Sequence, residues 1–144
     1  MIVVDTGVLV ALLDADDQHH QRCRDWYIEA QGPLIVPTPV MVETCYFVER
    51  DSSPELEANF LRSFDDGGSA SPEEQPFFLA QIEPADRKRM AELIEQYADF
   101  PLGAVDASVI AVAERLNVAE VATIDHRHFT VVRPRHTKTF TLLP

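Results

Sequence analysis

The chain predicts an α/β fold: a parallel β-sheet with helices packed on both faces. Three observations lead there. Short, almost wholly apolar runs open the chain and recur at residues 34–36 and 118–124, the composition of strands buried on both faces. Longer stretches between them repeat apolar residues at three- and four-residue spacing, the period of a helix. At 144 residues, with no linker, repeat or low-complexity segment, the chain reads as one domain, residues 1–144, with a core large enough to support it.

Each element has its own signal. Residues 1–5 form the first strand, and residues 8–13 a short helical turn. Asp14 or Asp16 is the expected cap of a helix carrying Cys23, Trp26, Tyr27 and Ala30 on one face, stopped at Gly32-Pro33. Residues 34–36 are a strand. Thr38-Pro39 then opens a helix to about Arg50, with threonine as cap and proline in the first turn. Ser53-Pro54 starts another, with Leu56, Phe60, Leu61 and Phe64 on one face, and Asp65-Asp66-Gly67-Gly68 ends it. A loop is expected over 67–76 and a strand over 77–82. Helices follow at Pro84, carrying Met90, Leu93, Ile94 and Tyr97, and after Pro101-Leu102-Gly103, with Val105, Val109, Val112, Ala113 and Leu116 inward. Strands are expected at 121–124 and 139–143, and His126 and His128 in a loop between them.

Composition narrows the function. The net charge of −12 is a poor match to nonspecific nucleic-acid binding, which depends on neutralising phosphates. The charge is uneven, however. Residues 1–102 hold seven Lys/Arg against twenty Asp/Glu, and no acid follows Asp125. His126, Arg127, His128 and Arg133 in that basic tail are candidate contacts for RNA phosphate, and a solvated mixed-charge surface accounts for them equally well. No run is long enough to span a bilayer. The apolar start has no basic leader and is interrupted by Asp5, so no signal peptide is expected. Cys23 and Cys45 lie in helical patterns without CxxC spacing and read as thiols in a reducing, cytoplasmic setting.

Four acids carry the chemistry. Asp5 and Asp125 end apolar strand runs, while Asp106 falls in the first turn of its helix and Glu43 one turn into another. Ligands of an open α/β sheet collect beyond the carboxyl ends of its strands, and these acids converge there, although Asp106 follows a helix rather than a strand. Taken singly, Asp5 and Asp125 suit turns or caps, and Asp106 a helix start. Glu43, flanked by Val40, Met41, Val42, Tyr46 and Phe47, is costly without a partner. Together they form an oxygen-only set suited to Mg2+ or Mn2+. Such an ion can activate water, polarise a phosphoryl oxygen and offset leaving-group charge, which are the needs of phosphodiester hydrolysis.

Val4-Asp5-Thr6, Pro37-Thr38-Pro39 with Val42-Glu43, Asp106-Ala107-Ser108 with Ala111–Leu116, and Thr123-Ile124-Asp125 with His128-Phe129 together resemble PIN-domain ribonucleases, most of all the VapC toxins of bacterial toxin–antitoxin pairs. The closing stretch from His128 to Pro134 is similar to that group too. The resemblance covers essentially the whole chain. It implies a three-layer α/β/α sandwich with a five-stranded parallel sheet, and a Mg2+- or Mn2+-dependent endoribonuclease. It carries catalytic roles onto Asp5, Glu43, Asp106 and Asp125, metal binding onto Asp5, Asp106 and Asp125, and carboxylate-orienting roles onto Thr6 and Thr123. Where many such enzymes have Ser or Asn, this chain has Gly7. The implied partners are an RNA substrate, a cognate VapB-type antitoxin and a second copy of the chain, with no membrane. The apolar residues of the 39–64 helices suit either a partner groove or ordinary core packing.

Other classes fit less well. Asp5-Thr6-Gly7 is also an aspartic-protease tripeptide, but Val8 follows it, no second copy exists and helical periods dominate. A phosphoaspartyl enzyme of the haloacid-dehalogenase type needs an acid where Gly7 stands. No histidine pair has metal-ligand spacing. The remaining alternative is a catalytically weak PIN-fold protein that binds RNA or antitoxin. Four intact acids argue against it, because they would repel the phosphate that such a protein must bind.

Overall fold

The computed structural model describes residues 1–64, 77–100 and 102–144; the loop expected over 67–76 lies outside them. Among the described residues the strands are β1 (Ile2–Val4), β2 (Leu34–Pro37), β3 (Phe77–Ala80), β4 (Glu120–Ala122) and β5 (Thr141–Leu143). The helices are α1 (Thr6–Leu13), α2 (His20–Glu29), α3 (Thr38–Asp51), α4 (Pro54–Arg62), α5 (Pro84–Gln96), α6 (Ala104–Leu116) and α7 (His126–Val131). All strand pairings are parallel, in the order β3-β2-β1-β4-β5.

That order explains both the layers and the location of the site. The chain winds outward from β1 through β2 to β3, then returns to add β4 and β5 on the other side. Right-handed crossovers in opposite directions send helices to both faces of the sheet, giving the α/β/α sandwich. The winding reverses between β1 and β4, and a crevice opens at such a point beyond the strand ends. The apolar runs are buried as their composition requires: Val3, Val4, Val36 and Val121 are inaccessible to solvent, packed with Leu9, Val109, Ile110, Val112 and Phe129.

Several element boundaries differ from the sequence reading, each for a local reason. The helix expected to be capped by Asp14 or Asp16 begins later, at His20. Asp14 Oδ1 instead accepts from Asp16 N–H at 2.9 Å, and Asp17 Oδ1 from His19 N–H at 2.6 Å. These side chains stabilise turns that compete with an earlier helix start. Thr38 is the first residue of α3 rather than its cap, and its hydroxyl donates to the Ala80 carbonyl at 3.1 Å, tying α3 to the end of β3. The segment read as a histidine loop is the six-residue α7. It is too short to show a period, but Asp125 caps it and Phe129 buries it.

Two details place the helices near the crevice. A Cβ added to Gly7 would lie 2.6 Å from Ile124 Cγ1, so the absence of a side chain there lets α1 start close to the residue after Thr123. At the far end of α6, Asn117 takes the left-handed conformation (φ 56°) and Val118 N–H returns to the Ala113 carbonyl at 2.9 Å. This closure fixes where α6 stops and β4 begins.

Candidate active site

Asp5 is the residue at which β1 becomes α1. Its backbone N–H still bonds to the Ala122 carbonyl of β4 at 2.9 Å, while its side chain caps α1 by accepting from Thr6 N–H at 2.8 Å through Oδ1. Oδ2 accepts from the Thr123 hydroxyl at 2.8 Å. The carboxylate is thus held by two donors from the neighbouring ends of β1 and β4. The Thr123 oxygen also accepts from Asp125 N–H at 3.1 Å, so one buried hydroxyl sets the positions of two of the four acids.

Asp125 uses Oδ1 to cap α7, accepting from Arg127 N–H at 3.0 Å. Its side chain is half exposed, at 50%. Asp106, in the first turn of α6, reaches back to accept from Gly103 N–H at 3.2 Å through Oδ2. The same oxygen lies 3.3 Å from His128 Nδ1, which is also 3.7 Å from Asp125 Oδ2. Glu43, one turn into α3, is half-buried on the same cavity. That cavity, of about 340 Å3, is lined by all four acids together with Thr6, Gly7, Asp17, Phe47, Ile124 and His128.

Gathering carboxylates in this way has an electrostatic cost, visible in their protonation. Burial, with Asp106 and Glu43 nearby, raises the pKa of Asp5 to about 6 even though Thr123 and Thr6 donate to it. Burial also raises Asp106; Asp125 and Glu43 add to the rise, and His128 and Gly103 oppose it. Each effect is the one expected for like charges in a poorly solvated place.

The donor set fits a hard divalent cation. The four acids offer only oxygens to the cavity, and the buried Thr6 hydroxyl has no hydrogen-bond partner within the described residues, so it could serve a metal-bound water. As the side chains stand, no three His, Cys, Asp or Glu among the described residues form a closed coordination cluster. The carboxylates line one space without yet converging on one point.

The histidines and arginines proposed for RNA separate in position. His126, Arg127 and Arg133 are exposed, with Arg133 also donating to the Thr130 carbonyl at 3.1 Å. His128 is turned inward, its side chain 21% exposed and its ring packed edge-on against Phe100. Two participants were not legible in the sequence. Asp17, beyond α1, adds a fifth acid to the cavity, and Phe100 backs His128. Neither lies at a strand end or in a first helical turn, the signals that marked the others.

A family model for the PIN domain matches residues 2–133. The chain belongs to the PIN domain family. Among PIN proteins, it is 27% identical over 143 residues to Ribonuclease VapC26 of Mycobacterium tuberculosis, a match spanning 99% of this chain and all of that one. The fold is similar to that of M. tuberculosis VapC20, described as a sarcin–ricin loop cleaving toxin, with a TM-score of 0.77 at 16% identity over 89% of this chain and 92% of the other. It is also similar to a chain of a toxin–antitoxin complex from Klebsiella pneumoniae, with a TM-score of 0.67 at 16% identity over 98% and 100% of the two chains. These likenesses bear out the five-stranded parallel PIN sandwich read from the sequence.

Proposed function

We propose that this PIN domain, residues 1–144, is a divalent-metal-dependent endoribonuclease acting as the toxin of a toxin–antitoxin pair. The observation that carries the reading is the gathering of Asp5, Glu43, Asp106 and Asp125 on one cavity where the sheet reverses its winding. A protein that only bound RNA would gain nothing from concentrating negative charge where phosphate docks. A cation among the acids removes both repulsions. The relatedness to a VapC ribonuclease supports the same activity, and the likeness to a toxin–antitoxin complex supports an antitoxin partner.

In this reading Asp5, Asp106 and Asp125 hold Mg2+ or Mn2+. When bound, the ion supplies positive charge to polarise a phosphoryl oxygen and offset developing negative charge. Thr123 and the Thr6 backbone N–H keep Asp5 oriented, and the Thr6 hydroxyl is available to water in the cavity. Glu43, on the same cavity, is assigned a catalytic role beside them. His126, Arg127 and Arg133 are assigned to RNA phosphates. We assign a second copy of the chain as a partner and the cytoplasm as the working compartment; no described helix is long and apolar enough to cross a membrane.

The test is cleavage of total RNA by the purified protein. Mg2+ or Mn2+ should support cutting, EDTA should stop it, and Asp106→Asn should abolish it while the circular dichroism spectrum is unchanged. Cutting that persists in EDTA, or an Asp106→Asn protein as active as wild type, would overturn the assignment.

A further inference from the structure

His128 sits where the acids most need a positive group. Its Nδ1 lies between Asp106 Oδ2 and Asp125 Oδ2, at 3.3 and 3.7 Å, without a well-formed hydrogen bond to either. That nitrogen is fully buried. The facing oxygens have limited freedom. Asp106 Oδ2 already accepts from Gly103 N–H, and Asp125 is tethered through Oδ1 to the start of α7. Phe100 packs edge-on against the imidazole with ring centroids 5.2 Å apart, backing its position. The ring therefore stands against two of the carboxylates assigned to the metal.

We propose that His128 is an internal occupant of the metal site: its imidazole lies against Asp106 and Asp125 and must move aside before a divalent cation can be held by both. The inference rests on the metal-site reading above and extends it to the affinity of the site. Metal and imidazole then compete for the same oxygens. Whatever free energy the ring contributes to the metal-free site is subtracted from metal binding. The site consequently needs more free cation to fill than it would without the histidine.

A metal ligand and a competitor have opposite effects when deleted, which makes the role testable without measuring cleavage. Mn2+ binding is followed by loss of the free-ion electron paramagnetic resonance signal in wild type, His128→Ala, His128→Asn and Asp106→Asn. The competitor model predicts that both His128 variants bind Mn2+ more tightly, by roughly two- to tenfold. Asp106→Asn should lose binding. Unchanged affinity in the His128 variants would reduce the ring to packing, and weaker affinity would make it a ligand; either result overturns the proposal. His128→Asn preserves the test if the alanine variant fails to fold. The Asp106→Asn arm separates the two readings. If wild type and Asp106→Asn bind Mn2+ alike, or neither binds, the metal-site assignment fails, and the inference with it.

Discussion

Replacing Asp5 by asparagine should destroy activity and, in chelator at neutral pH, make the protein more stable. Asp5 is 6% exposed and its pKa is raised from 3.8 to about 6, chiefly by burial. A raised carboxyl pKa means that the folded protein holds this proton more tightly than the unfolded chain does. Folding is therefore not penalised below about pH 4, loses stability as pH rises between the two values, and carries the full penalty above about pH 6. A difference of about two pH units corresponds to about 3 kcal/mol at pH 7. Asparagine can keep the bond from Thr6 N–H, but its amide faces the Thr123 hydroxyl, which must then turn toward the Asp125 carbonyl 3.4 Å away. That weaker bond costs about 1 kcal/mol, leaving a net gain of about 2 kcal/mol, or a rise in Tm of roughly 5–10 °C for a domain of this size.

Thermal melts of the two proteins in EDTA across a pH series read this directly. The variant should melt higher at pH 7, and the gap should close by about pH 4.5. Adding Mg2+ should then raise the wild type alone, by about 2.7 kcal/mol when the ion is at a hundredfold excess over its dissociation constant. An Asp5→Asn protein that melts below wild type at pH 7 in chelator would refute the electrostatic account. So would a gap independent of pH.

Two further perturbations probe the supports of the site. Thr123→Val keeps the side-chain shape but removes the hydroxyl that donates to Asp5 and accepts from Asp125 N–H; it should raise the Asp5 pKa further and weaken Mn2+ binding about tenfold, measurable in the same resonance titration. Behind the site, Arg89 makes a two-pronged bond to Glu114 at 2.7 and 3.0 Å between α5 and α6, with both side chains at least nine-tenths buried. Burial raises the Glu114 pKa, but Arg89 and Arg135 outweigh it and hold the group below its ordinary value, so this stability is present at neutral pH and lost on acidification. Arg89→Met should cost about 3–5 kcal/mol in urea unfolding at pH 7, and Arg89→Met/Glu114→Leu should recover most of it.

The parts of this protein that were legible in its sequence are those fixed by strong local signals. Apolar runs mark the buried strands, and an acid at the end of such a run marks the rim where Asp5 and Asp125 stand. Helix starts at Pro54 and Pro84 were equally plain, because proline fits only the first turn. Less legible was anything decided by competition among short polar side chains. The start of α2 is displaced by Asp14 and Asp17, which satisfy nearby backbone N–H groups before a helix can. The short α7 depends on one cap and one buried phenylalanine. Long-range pairings such as Thr123 with Asp5, 118 residues apart, leave no local trace at all.

This distinction bears on how the acids should be understood. In the sequence Asp5 and Asp125 read as either cap or ligand; in the structure both are caps that also line the cavity. Asp5 caps α1 through Oδ1, Asp125 caps α7 through Oδ1, and Asp106 braces the start of α6 through Oδ2. Each carboxylate is anchored at a helix end and has little freedom to wander; on Asp106 the anchored Oδ2 is also the oxygen that faces His128. Capping is thus part of how the site is preorganised: the helices α1, α6 and α7 begin at this cavity because its acids begin them. A substitution that preserves the cap while removing the charge, as Asp→Asn does, separates anchoring from charge. It should leave the fold and take away the metal.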